Sequence, residues 1–424
     1  MNAPVLRRTK KDWWAVGAIS AVSAVALLGA YFTSDIRAAT LTPDNPPGSD
    51  AAAAPLSQVS ESLVHDAEFP APPGENPRPV VDGLVISAEG ATLTAFYPTG
   101  EAAWHYTRDD ADLCSLGTAW GKVVATYRTG VGCGDVVAIE AATGKHSATR
   151  SALNADAVGP ISSNDRVGTV APERVELWRS DMVRTIEYGE VEAVQEPDQQ
   201  PHPECTITSA LTRTSLLALT ETCPSGPDGT ETTDWLRLMD TTPEDAREPE
   251  VSGDFELPTG SRLVSIGQES ASVYAPGTDD HAAGEFIAVY KNGTETGRDK
   301  APSAAEAPAL ADATPDPHPV FTPATADLPH HMSWFDGTRL HLFNPSDQRH
   351  VRAIDNAVGT GVAVDGRLLV PTAAGIAVLD WETGETLRDI PVDRGGYAGP
   401  ISLNVAGDHV IEKRGTQLVS LRTA

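Results

Sequence analysis

The chain has 424 residues, room for one large domain or two ordinary ones, and 40% of them are hydrophobic, so a substantial core can be buried. Its 31 basic residues against 59 acidic ones leave a net charge of −28. That balance argues against a nucleic-acid partner, since phosphate binding needs a basic face, and against a folded part that lies flat on anionic lipid. The acidic excess reads first as a soluble, self-repelling surface.

Residues 1–12 are short and basic, with Arg7, Arg8, Lys10 and Lys11. Residues 13–32, from Trp13 to Phe32, then run without a charge. This is long enough for a helix to cross a hydrocarbon core of about 30 Å. Trp13 and Trp14 at one edge and Tyr31 and Phe32 at the other suit the two membrane interfaces. Only Arg37 follows closely, so the positive-inside bias puts the N-terminus in the cytoplasm and everything after Phe32 outside. A cleaved signal peptide is the competing reading, but its apolar region is normally shorter, and Ile36-Arg37-Ala38-Ala39 is a poor cleavage site. The expectation is an uncleaved single-pass anchor in the cell membrane. Residues 33–60, with Pro43, Pro46, Pro47 and Pro55 and the short run Ala51–Ala54, read as a flexible tether.

From residue 61 to 424 the chain reads as one all-β domain. Runs of Val, Ile, Leu and aromatics are broken by D-G, N-G and T-G pairs. An apolar segment recurs eight times: LTAF at 93–96, VVAI at 136–139, VELW at 175–178, LRLM at 236–239, FIAV at 286–289, LHLF at 340–343, IAVL at 376–379 and LVSL at 418–421. Most of the spacings fall near 40 residues, the length of a four-stranded propeller blade. Longer gaps call for insertions. Residues 299–329, rich in Ala, Pro and Asp, are expected as an exposed loop, and residues 224–233 as a second one.

Three of these units resemble the repeats of pyrroloquinoline-quinone-type (quinoprotein-type) β-propellers, which carry A-x-D-x-x-T-G-x-x-x-W. Ala95 to Gly100 followed by Trp104 fits with Tyr97 in place of Asp and one residue fewer, Ala138 to Gly144 fits without the Trp, and Ala377 to Gly384 fits with one extra residue. The family's inner-strand motif is matched by Pro79-Val80-Val81-Asp82-Gly83, Gly159-Pro160-Ile161-Ser162 and Gly399-Pro400-Ile401-Ser402. The plan also resembles membrane-anchored actinobacterial propellers and, more distantly, BamB-like outer-membrane assembly lipoproteins, although no lipobox cysteine lies near the span. The resemblance implies a fold and says little about activity.

Eight blades are expected, with seven as the alternative. The last unit has strands at 401–405, 408–413 and 417–421 and then runs out of chain, so an N-terminal strand at Ser62–Phe69 is expected to supply its fourth strand and close the ring. The four cysteines fall into two local pairs without a C-x-x-C motif, which fits two disulfides in an oxidising compartment better than zinc. Cys205 and Cys223 would face each other across a turn near Arg213–Ser215, and Cys114 and Cys133 would do the same in unit two, each bridge stapling a blade's inner hairpin.

No catalytic constellation is evident. Quinoproteins of this fold carry adjacent bridged cysteines beside the cofactor and a Ca²⁺ site; neither is found, so no cofactor is expected. His330, His331, His341 and His350 lack metal-ligand spacing and read as surface and strand residues. Gly130 to Gly134 reads as a hairpin turn, because no helix follows to make a phosphate loop. Asp109-Asp110-Ala111-Asp112 and Asp279-Asp280 read as solvated loops. Asn292-Gly293-Thr294 matches a glycosylation sequon but reads first as a tight turn. The favoured function is a non-enzymatic binding platform for an envelope protein or peptide. The alternative is a quinone- or metal-dependent oxidoreductase.

Overall fold

A computed structural model describes residues 9–34, 37–47, 56, 60–72, 78–191, 196–197, 199–226, 229–276, 285–301 and 320–423. The N-terminal segment is one helix, Lys10–Thr33. Thr9 caps it: the Thr9 hydroxyl accepts from the Asp12 amide, and the Asp12 carboxylate accepts from the Thr9 amide at 2.6 Å. Its apolar side chains are exposed all round, with Trp14 at 81% and Val22 at 69%. A helix apolar on every face and exposed along its described length is long enough and apolar enough to cross a membrane.

The remainder is an eight-bladed β-propeller. Every blade has four antiparallel strands, the first of them nearest the axis, and in blade 8 the short strand Gly359–Thr360 adds a parallel pairing to Ile401–Ala406. All eight apolar repeats form third strands, from Thr92–Phe96 in blade 1 through Arg174–Trp178 in blade 3 and Gly375–Leu379 in blade 7 to Gln417–Thr423 in blade 8. In blades 3 and 7 every residue of the third strand is buried. A strand covered on both faces by neighbouring blades has no polar face to show, so it reads as a nearly continuous apolar run.

Leu63–Pro70 pairs antiparallel with Gln417–Thr423, from Leu63 opposite Thr423 to Pro70 opposite Gln417. The chain's beginning therefore supplies blade 8 with its rim strand, as expected. Phe69, 4% exposed, packs with Val85 of blade 1 and with Ala406, Ile411 and Leu418 of blade 8, and its ring lies 4.8 Å from that of Phe96.

Three expectations need correction. Within residues 33–60, Ala39–Pro43 is a strand and not tether: it pairs antiparallel with Ala102–Arg108 and gives blade 1 a fifth strand, with Leu41 packed on the blade 1–2 core. The proline at 43 stands at the strand's last position on the sheet edge, where its missing N–H costs little. In blade 4, residues 224–233 do not form a simple loop, because Leu216–Ser225 and Glu231–Asp240 extend the hairpin almost to its tip. Of the insertion at 299–329, residues 302–319 lie outside the described residues, Lys300 ends the rim strand of blade 5, and Ala324–Asp327 is the first strand of blade 6.

Neighbouring blades are fastened by the repeat motif itself. Trp104, fully buried, donates from Nε1 to the Ala141 carbonyl in the next blade at 2.8 Å, and its indole lies against Gly144. A Cβ at Gly144 would sit 2.8 Å from the Trp104 ring, and its φ of +57° is left-handed, so both space and backbone call for glycine there.

Ring closure makes a direct prediction. Phe69→Ala removes the largest anchor of the closing strand and is expected to cost about 3–5 kcal/mol, read as a lowered denaturant midpoint of the propeller.

Candidate functional site

The turns on one face of the ring join second to third strands and fourth strands to the next blade. On that face, between blades 3 and 4, the chain forms a cleft of about 820 Å³. Pro172 and Glu173 belong to the turn after the second strand of blade 3, Glu190 follows that blade's rim strand Arg184–Gly189, and Pro201, Pro203 and Glu204 lie on the connection into blade 4. Backbone bonds fix the floor. The Glu190 amide donates to the Glu173 carbonyl at 2.8 Å, and the Ile207 amide donates to Pro172 at 2.8 Å. Gln200 is the keystone of the connection. It donates from Nε2 to the Glu187 and Arg247 carbonyls at 3.1 and 2.8 Å and accepts from the Gly189 amide at 3.0 Å. The bridge between Cys205 and Cys223 ties the far wall to blade 4's second strand.

Beneath the cleft lies a buried ionic network. Glu187, 1% exposed, is paired with Arg174, with Arg184 at 2.5 Å and with Arg247 at 3.6 Å, while Glu176, also 1% exposed, meets Arg150 and Arg174. Burial pushes the Glu187 carboxyl up, against the pull of Arg174 and Arg184. In blade 4, Glu221 accepts from Arg237 Nε and from the Tyr188 hydroxyl, each at 2.6 Å. Burial and then the Glu221 charge raise the Tyr188 hydroxyl far above its ordinary range. These charges are spent on one another, so they hold the two blades in register. The exposed acids at the mouth, Glu173, Glu190 and Glu204, are the ones free to meet a ligand. Among the described residues no Lys or Arg lines the cleft.

The axis is less open. The segment entering blade 6 lies along the inner wall of blades 3 and 4: Phe321 donates its amide to the Thr208 carbonyl at 2.8 Å, and Val320 packs with Ile161, Val170 and Ile207. Further along the axis, Arg213 of blade 4 pairs with Asp327 of blade 6 at 3.0 Å.

The cysteines pair as the two local pairs foreseen. Cys205 and Cys223 bracket the inner hairpin of blade 4. Cys133, however, opens the third strand of blade 2, Gly132–Glu140, and is not on the second strand, Lys122–Thr129. Its bridge to Cys114 therefore spans two strands instead of stapling the inner pair. The extra reach fits an irregularity at Leu113/Ser115, where the register slips beside Cys114. The Cys205 sulfur lies within 4.8 Å of ligand atoms of His202 and Glu204, and the Cys205 and Cys223 sulfurs lie within 4.8 Å of a Glu221 oxygen, but a disulfide sulfur offers no thiolate to a metal.

The histidines divide. His330 and His331 sit in a turn of blade 6 against Trp381 of blade 7, with centroids 5.3 and 5.8 Å away. His341 is not a surface residue: it is 2% exposed, stacks on Trp334, and joins Asp336 at 2.9 Å and His350 at 3.1 Å. With Asp336 ionised, its carboxylate accepts from His341 Nε2, and the His341 Nδ1–His350 Nε2 contact carries one proton between the two rings. Burial raises Asp336, but hydrogen bonds from His341 and from the Thr338 and Arg339 amides outweigh it and hold the carboxyl at about 2. The chain locks a turn and two strands of one blade. Sequence reasoning missed it because Asp336 and His350 come together only through strand pairing; the Asp336-Gly337 turn was its one local sign.

The smaller motifs resolve simply. Gly130 and Val131 form the turn between second and third strands of blade 2. Asn292 and Gly293, both at positive φ, form the tight turn before the rim strand of blade 5. Asp110 is engaged by Arg108 at 2.8 Å, and Asp279 and Asp280 lie outside the described residues.

No protein-family model matches the chain, and no curated protein matches it. Among solved structures it is similar to BamB from Moraxella catarrhalis, at 12% identity over 85% of this chain and 99% of that one, with a TM-score of 0.47. It is similar to apo AztD from Citrobacter koseri at 12% identity, 78% and 88% coverage and a TM-score of 0.46. For the dihydro-heme d1 dehydrogenase NirN in complex with DHE the values are 12%, 84%, 73% and 0.46.

Two outcomes test these assignments. Burial, then the neighbouring His341, lowers His350 from 6.5 to about 4. The unfolded chain therefore takes up this proton first, so the contribution to stability is complete above pH 6.5 and is lost as pH falls towards 4. The melting temperature is expected to drop across that window, and His350→Gln is expected to flatten the drop. Separately, the Cys205→Ser/Cys223→Ser double variant opens a loop of 18 residues and is expected to lose about 3 kcal/mol in equilibrium unfolding.

Proposed function

We propose that this chain is a membrane-anchored, extracytoplasmic β-propeller that serves as a non-enzymatic binding platform in the bacterial cell envelope, with the cleft between blades 3 and 4 as its binding site. The observation that carries the reading is the cleft's lining. Prolines give it stiff apolar walls, and three exposed glutamates stand at its mouth with no basic side chain among the described lining residues. Such a lining suits an extended, cationic peptide segment, held by packing on the prolines and oriented by charge. The apolar helix Lys10–Thr33 is read as the anchor. Two disulfides support an oxidising compartment on the far side of the membrane.

The test is photocrosslinking in intact cells, with a photoreactive residue in place of Thr206 at the cleft wall of the tagged full-length chain. An envelope protein or peptide captured there is expected to be lost in the Glu173→Lys/Glu190→Lys/Glu204→Lys variant at unchanged melting temperature. Capture that survives the triple reversal would remove the cleft from the proposal. No capture above an uncrosslinked control would remove the platform itself.

A further inference from the structure

The route by which the chain enters the propeller assigns the ring's two faces. Ala39 pairs with Arg108, the last residue of blade 1's rim strand, and Pro43 pairs with Trp104. The Asp109 amide donates to the Ala38 carbonyl at 2.9 Å. Arg108 leads into the connection to blade 2, so the chain joins the ring at the face that carries the blade-to-blade connections and runs down the edge away from it. The cleft between blades 3 and 4 opens on that same face, since its walls are a turn between second and third strands and the connection into blade 4.

The corner is firmly held. Arg108, 5% exposed, is bound by Asp110 at 2.8 Å and by Asp135 of blade 2 at 2.7 Å. At the other end of the edge strand, the Asp44 and Asn45 amides both donate to the Ala103 carbonyl, at 3.0 and 2.8 Å, and Tyr97 donates from its hydroxyl to the Asn45 carbonyl at 2.8 Å. Between this corner and the end of the helix at Thr33 there are only the five residues 34–38. Fully extended, five residues reach about 17 Å. Arg37 donates its amide to the Ser34 carbonyl at 3.0 Å, which shortens that reach, and its guanidinium lies over the Tyr31 and Phe32 rings at 5.1 and 5.0 Å. A tether of 28 residues would leave the propeller free to tumble, but a link of five, ending on a paired strand, does not.

We infer that the propeller is held with its blade-to-blade connection face towards the membrane, so that the cleft receives a basic segment of a partner that is itself seated in the membrane, while the opposite face looks into the envelope. The inference rests on the anchor and the cleft proposed above. It also gives the acidic mouth of the cleft a reason. Anionic headgroups repel it, so the face stands off the lipid and leaves room for a cationic protein segment.

The experiment uses full-length protein reconstituted in nanodiscs of phosphatidylethanolamine and phosphatidylglycerol carrying a headgroup-linked acceptor dye. Leu153→Cys and Val183→Cys, at two positions 44% and 46% exposed, each take a donor dye. Leu153 lies on the connection from blade 2 to blade 3, on the cleft face, and Val183 lies in the turn before the rim strand of blade 3, on the opposite face. Energy transfer is expected to be at least twofold more efficient from Leu153 than from Val183. Equal or reversed transfer, in protein that elutes with the discs, overturns the orientation and leaves the anchor standing. Protein that elutes free of the discs overturns both. If the orientation holds but the Glu173→Lys/Glu190→Lys/Glu204→Lys variant still captures its partner in cells, the cleft is not where the membrane-side partner sits.

Discussion

The whole architecture depends on one strand pairing, that of Leu63–Pro70 with Gln417–Thr423. A propeller without it would be an open arc of blades, with an unpaired strand edge at one end and an uncovered apolar face at the other. The pairing joins segments more than three hundred residues apart, and Phe69 converts it into core by reaching across to Val85 of blade 1. Closure is therefore both a hydrogen-bonding and a packing event. Its cost is the entropy of bringing the two chain ends together, offset by apolar surface buried along the blade 8–1 seam.

Once the ring is closed, each blade is held by its neighbours through a mixture of apolar and ionic contacts that is not the same around the circle. Between blades 1 and 2 the fastening is Trp104 against Gly144 and the Ala141 carbonyl. At blades 3 and 4 it is carboxylates buried among arginines, Glu176, Glu187 and Glu221 with Arg174 and Arg237. In blade 8 Glu412, fully buried, is held by Arg394 at 2.8 Å and by Arg414 at 2.7 Å. Buried pairs add little net stability over apolar packing but are costly to break, so they suit seams that must keep one register. The cleft sits on such a seam, and its walls inherit that rigidity through Gln200 and the Cys205–Cys223 bridge.

The second N-terminal contribution, Ala39–Pro43 on the edge of blade 1, has a different consequence. It caps an exposed rim strand, which protects against edge-to-edge association, and it shortens the link between helix and propeller to five residues. Two short strands from one N-terminal region thus do separate things: the one at 63–70 closes the ring, and the one at 39–43 positions it.

Much of this was legible in the residues. All eight third strands are visible because a strand sandwiched between blades must be apolar on both faces, and such runs stand out locally. The closing strand followed from counting, since a last unit with three strands needs a fourth. The apolar helix and the cysteine pairs were legible for the same reason: length, composition and short spacing are local properties. What only the tertiary structure decided depends on which distant segments meet. The sequence at 39–43 carries no more β signal than a proline-rich tether, and its strand exists because blade 1 offers an edge. Cys133 lies on the third strand because the turn at Gly130 and Val131 falls just before it. The Asp336–His341–His350 chain and the cleft between blades 3 and 4 are assembled by cross-strand and between-blade contacts that no spacing along the chain encodes. Periodicity reports what a segment buries, and only the closed ring reports against what.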